Sequence, residues 1–120
     1  MANNEWTALH TFWNSFGLAA YDALTVPDDA VMPYITYEAK VGELEQKTAL
    51  SASLWYRATT WEQISDKALE IGNAIGGGMG VHYNGGRLWI VKETPFAQRL
   101  AEPTDDSVRR IVLQVSAEFH

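Results

Sequence analysis

The stretch TALSASLWYRATTWEQISDKALEIGNAIGGG, residues 48–78, changes its hydrophobic period part-way along. Over 48–58 the apolar residues alternate. Leu50, Ala52, Leu54 and Tyr56 fall on one side; Ser51, Ser53, Trp55 and Arg57 fall on the other. That alternation belongs to a strand with one buried face. From Trp61 the spacing lengthens, and Trp61, Ile64, Ala68, Ile71 and Ile75 make the stripe of an amphipathic helix over about 60–75. Thr60 with Gln63, or Thr59 with Glu62, has the spacing of a capping box. Gly76, Gly77 and Gly78 stand where a helix stops. A half-buried strand running into an amphipathic helix points to an α+β chain, in which helices cover one face of a sheet.

The flanks extend that reading. YITYEAK, 34–40, alternates as a strand, with Ile35, Tyr37 and Ala39 on one face. The polar VGELEQK that follows is a loop or a flexible hairpin tip, and so short a connection implies antiparallel pairing. Upstream, Trp6, Leu9, Phe12 or Trp13, Phe16, Ala20 and Leu24 approximate helical spacing, so residues 5–24 read as a helix capped by Asn3 or Asn4. Gly17 weakens its middle and permits a kink or an early break. Pro27 ends the region, and DDAVMP turns out of it. Downstream, MGVHY at 79–83 and RLWIVKE at 87–93 are strands around a tight NGG turn. TPFAQRLAEPTDD, 94–106, reads as irregular, framed by Pro95 and Pro103 and anchored by Phe96. Residues 108–119 form a last strand, with Ile111, Leu113, Val115, Ala117 and Phe119 on its apolar face. The expected fold is α+β, a mostly antiparallel sheet with two helices packed on one face, in the order α-β-β-α-β-β-β. Residues 1–120 form a single domain, with no repeat, linker or low-complexity tract.

Composition narrows the function. Hydrophobic residues make up 47% of the chain, which is globular composition. Five Trp, five Tyr and four Phe supply either core filler or subunit contacts. There is no cysteine, so disulfides and thiolate metal sites are excluded. No apolar run reaches the roughly 18 residues of a membrane span, and MANNEWTALH is not a secretory signal. A net charge of −6 makes a poor binder of phosphate backbones. It suits a surface past which DNA must move without sticking.

The motifs that suggest chemistry have plainer readings. GGGMG at 76–80 follows a helix and precedes a strand, the reverse of a phosphate cradle, and no Gly-Lys-Ser/Thr accompanies it. His10, His82 and His120 lack a second ligand at metal-binding spacing. The acidic pairs Asp28/Asp29 and Asp105/Asp106 lie in proline-flanked turns, where Asp bonds its own backbone. The second pair precedes Arg109 and Arg110, which suggests a local or intersubunit ion pair. No catalytic set, cofactor or metal site is expected.

What remains are contact residues. Trp55 and Arg57 project from the side of their strand opposite the apolar one. They pack either on a partner or on neighbours at the sheet edge, and Trp with Arg is a common interface pair. Phe96 and Arg99 in the 94–106 segment offer a second, unlike patch, and Asp105, Asp106, Arg109 and Arg110 complete the candidate subunit interface.

As an ensemble, TFWNSFGLAAYDALTVPDDAVMPYITY, SLWYR, WIVKETPFAQR, DDSVRRI and the closing AEF resemble the tail-completion or tail terminator proteins of long-tailed bacteriophages and prophages, also called minor capsid proteins. The resemblance covers most of the chain, and no single motif decides it. It implies a structural virion protein and not an enzyme, with a tail-terminator-like sheet carrying helices on one side. It implies a homo-hexameric ring that caps the tail tube protein and presents the head-docking surface; a free monomer is compatible with it, since tail parts must not close into rings prematurely. It places the protein in the virion neck, after assembly in the bacterial cytoplasm. DNA would pass through the ring without specific binding, and a head-tail connector protein would be a neighbour. The alternatives are a head-tail connector or head-completion role, or a small ligand-binding α+β domain. A tail tube gene immediately downstream would favour the terminator.

Overall fold

Asn4 opens the first helix with a reciprocal cap. Its side-chain oxygen accepts the Thr7 N–H at 3.0 Å, while the Thr7 hydroxyl accepts the Asn4 N–H at 2.9 Å. The structure, a computed structural model, describes residues 4–120, so the alternative cap Asn3 lies outside the described residues. Helix α1 spans Glu5–Trp13 and passes into a 3-10 turn, Asn14–Phe16. Next comes a strand, β1, Ala19–Asp22. The helix expected over 5–24 therefore ends early. Gly17 adopts φ +83°, a left-handed conformation that redirects the chain. Asn14 Oδ1 accepts the Ala20 N–H at 3.2 Å and ties the new strand to the helix end. The helical spacing beyond Phe16 is coincidental, since Leu24 is 91% exposed.

The remaining elements are β2 (Tyr34–Tyr37), β3 (Thr48–Arg57), α2 (Glu62–Ile75), β4 (Met79–Tyr83), β5 (Gly86–Leu100) and β6 (Val108–Phe119). They make one six-stranded sheet in the order β1-β2-β3-β6-β5-β4, antiparallel except for the β1–β2 pair. The order gains a strand over the expected one and reads α-β-β-β-α-β-β-β. Asn84 and Gly85 make the tight β4–β5 turn, with Gly85 at φ +97°.

Helix α2 lies where its stripe places it, but not by the expected cap. Trp61 is the residue before its first turn, with no side-chain hydrogen bond to the helix, so neither threonine forms a capping box. The helix is held by packing instead. Ile64, Ala68, Ile71 and Ile75 are buried, as are Ala8, Leu9, Phe12 and Trp13 of α1. Both helices share one core cluster with Leu50, Ala52, Leu54 and Tyr56 of β3, Leu88 and Ile90 of β5, and the apolar side of β6. Two helices thus cover one side of the sheet, as expected of an α+β chain.

The segment 94–106 is the second correction. Its first half is strand, because β5 runs to Leu100. Lys92 pairs with Val115 and Ala97 with Leu113, so pairing advances five positions on β5 but two on β6. The surplus bulges out between them and contains Pro95, where no ladder N–H is required. Beyond Ile90 no β4 residue pairs with β5, so this half of the strand is a sheet edge.

Candidate assembly surfaces

The face of the sheet away from the helices is built by the other half of each alternation. Trp55 on β3 stands opposite Arg110 on β6. The guanidinium lies 4.7 Å from the Trp55 ring centroid, and its Nε donates to Ser53 Oγ at 3.1 Å. The indole N–H of Trp55 donates to Thr36 Oγ1 at 2.9 Å. The same face carries Tyr21 and Tyr34 edge to face at 5.7 Å, and Arg87 over Trp89 at 5.5 Å. None of these residues belongs to the core cluster, and Trp55, Trp89, Tyr21, Tyr34 and Arg110 are half-buried. Aromatic rings here are steadied by arginines and hydroxyls in place of burial.

At one end of this face Arg57 reaches Asp105 at 3.2 Å and Ser107 Oγ at 2.8 Å. Asp105 Oδ1 also accepts the Ser107 N–H at 2.9 Å and its hydroxyl at 2.6 Å. The Ser107 hydrogen bonds, with Arg57 beside them, hold the Asp105 carboxyl below its ordinary range. Within the chain the local ion pair forms between Asp105 and Arg57, and among the described residues neither Asp105 nor Asp106 pairs with Arg109 or Arg110. Neighbours on a strand face opposite ways, so Arg110 turns to the open face and Arg109 to the helix side. Asp106 contributes only its carbonyl to Arg109, at 2.8 Å.

On the helix side, two guanidiniums lie over the Trp61 ring, Arg99 at 5.0 Å and Arg109 at 5.4 Å from its centroid. Arg99 donates to Ser65 Oγ at 3.1 Å, and Arg109 donates to the Thr59 carbonyl at 2.9 Å. Beside this stack a groove of about 380 Å³ opens between α2 and the bulged half of β5. Ala68, Gly72 and Ile111 line it, with Phe96 packed against Gly72. Leu69, 65% exposed, forms part of its wall. Among the described residues Lys92 and Arg99 are its two charged ones, and no acidic residue lines it.

The eight candidate contact residues therefore divide. Trp55, Arg57, Asp105 and Arg110 gather on or at the end of the open face. Phe96 and Arg99 belong to the groove, Arg109 anchors the Trp61 stack, and Asp106 is exposed at the turn before β6. Leu69, Lys92, Arg87 and Trp89 join these surfaces in addition to the expected contact residues. A leucine one place off the apolar stripe of α2 was the available signal for Leu69. The alternation Arg87, Trp89, Val91 was the signal for the open face.

Elsewhere, His10 Nδ1 contacts the Tyr37 hydroxyl at 3.2 Å and His120 pairs with Glu118 at 3.3 Å. Among the described residues no three His, Cys, Asp or Glu come together, and no helix is long and apolar enough to cross a membrane. Burial pushes the phenols of Tyr37, Tyr56 and Tyr83 up from their ordinary value, with lesser contributions from Asp22, Glu70 and Glu5. They stay protonated at neutral pH. Compared with known proteins, the chain matches no family and no curated sequence.

Proposed function

We propose that this chain is a structural subunit of a phage tail-terminator ring, a homo-oligomer, most simply a hexamer, that caps the tail tube and receives the head. The observation that carries the reading is the presence of two unlike uncovered surfaces on one chain. One is the aromatic and arginine-bearing sheet face around Trp55; the other is the apolar groove between α2 and β5. A ring closes through a head-to-tail joint between neighbours, which the groove can receive. A capping subunit needs a further face for the structure it caps. The sequence resemblance supports the same role. The net charge of −6, repeated around a ring, opposes adhesion of DNA passing through it.

The test is electron microscopy of particles from a phage genome lacking this gene. Overlong or headless tails are expected, with normal length and joining restored when the gene is supplied in trans. Joined virions of normal tail length, made without the protein, would remove the reading.

A further inference from the structure

The groove beside α2 differs in charge from the rest of the chain. The protein carries a net −6, yet Lys92 and Arg99 line the groove without any carboxylate. Neither cation forms an ion pair among the described residues: Lys92 lies 5.8 Å from the Phe96 ring, and Arg99 bonds Ser65 and stacks on Trp61. The rest of the wall is largely apolar, and Leu69 is left 65% exposed. Such a site fits a segment with two features, aliphatic side chains and negative charge.

The chain carries such a segment. Residues 24–31, LTVPDDAV, run between β1 and β2 at the far edge of the sheet. Leu24 and Val31 are 91% and 79% exposed. Asp28 and Asp29, exposed between them, accept no hydrogen bond and form no ion pair among the described residues. The expectation that they bond their own backbone is not met; the turn closes instead through Ala30 N–H donating to the Pro27 carbonyl at 3.1 Å. A molecule does not fill its own groove with this segment. Strands β2, β3 and β6 separate β1 from β5, and none of residues 24–31 lines the groove. The segment is also tied at both ends to paired strands.

We propose that residues 24–31 of one subunit dock in the α2–β5 groove of the next copy, with Leu24 and Val31 against Leu69 and Phe96, and Asp28 and Asp29 facing Lys92 and Arg99. This contact rests on the ring reading and specifies its head-to-tail joint. A contact of a few apolar side chains and two charge pairs is weak alone and accumulates around a closed ring. It leaves the Trp55 face free for the tube or the head.

The chain has no cysteine, so introduced thiols report unambiguously. The full-length protein carrying V31C is mixed with a mass-tagged copy carrying L69C and mildly oxidised. The expected product is a V31C–L69C heterodimer in excess of both homodimers. D28K/D29K on the first chain should lower its yield about tenfold, as like charges then face each other. K92E/R99E on the second chain should then restore it. A heterodimer no more abundant than the homodimers, or one insensitive to charge reversal, overturns the proposal. So does a charge-swapped pair that fails to recover, or L69C in assembled tails captured by a different protein in place of a second copy. The two readings separate cleanly. Rings present in tails with no heterodimer remove this contact and keep the ring. A charge-dependent heterodimer, with joined virions forming in the protein's absence, keeps the contact and removes the tail role.

Discussion

Leu54 and Trp55 are adjacent on β3 and live in different environments. Leu54 is fully buried under the helices, while Trp55 is half-buried on the opposite face, outside the core cluster. On the covered side, stability comes from removing apolar atoms from water. On the open side it comes from pairwise contacts: a guanidinium on a ring, an indole N–H on a threonine, an arginine N–H on a serine. The difference teaches that large aromatics need not signal core. Here they make a firm surface, arranged before any partner arrives and costly to disturb by only a modest amount.

The contrast breaks first on the covered side. Ile71 is fully buried in α2, so Ile71→Ala should lose roughly 2–5 kcal/mol in urea unfolding. A loss below about 1 kcal/mol would mean that the helix is not a structural layer. Gly78→Ala is the next largest. Gly78 has φ +154°, and a Cβ there would run into the Trp89 ring, so a loss of roughly 1–3 kcal/mol is expected from strain and collision. That variant asks whether the open face tolerates displacement of one of its rings; an unchanged thermal midpoint would show that it does. Trp55→Ala should cost less than the helix variant, roughly 1–2 kcal/mol, since it removes one cation–π contact and one side-chain hydrogen bond. A loss above about 3 kcal/mol would put Trp55 with the core and erase the distinction between the faces.

Regular period was legible and backbone redirection was not. The apolar residues of 48–58, of α2 and of β6 identify their elements because burial is enforced at every repeat. The stretch from Phe16 to Leu24 kept an approximate helical spacing by chance, and only Gly17 hinted at the break. Pro95 looked like a strand breaker, yet a bulge on an open edge absorbs it, and edges have no sequence signature of their own. The contact residues were partly legible. Alternation placed Trp55 and Arg57 away from the apolar face of their strand. The groove was not, since it depends on α2 and β5 meeting at a distance that neither segment encodes alone. The local ion-pair partner of Asp105 within the chain, Arg57, was not legible because it lies 48 residues away in sequence.

The smallest expected effect lies at the end of the open face. Asp105 has its pKa lowered in the folded protein from an ordinary 3.8, chiefly by the Ser107 hydrogen bonds and then by Arg57. A carboxyl with a depressed folded pKa contributes its stability in full above the unfolded value and loses it as pH falls through the folded value. Both partners are largely solvent-exposed, so the contribution is small and is screened by salt. The stability difference between the parent and Asp105→Asn should therefore be constant from neutral pH down to the ordinary carboxylate range, then shrink below it. The ranking of causes can be checked separately by following the Asp105 carboxyl in an NMR titration. Ser107→Ala should raise its pKa more than Arg57→Ala, because the hydroxyl at 2.6 Å is a closer donor than the guanidinium at 3.2 Å. A larger rise in Arg57→Ala would make the ion pair the principal hold. Arg57 would then be committed to its own chain, and no longer available to a neighbour across the open face.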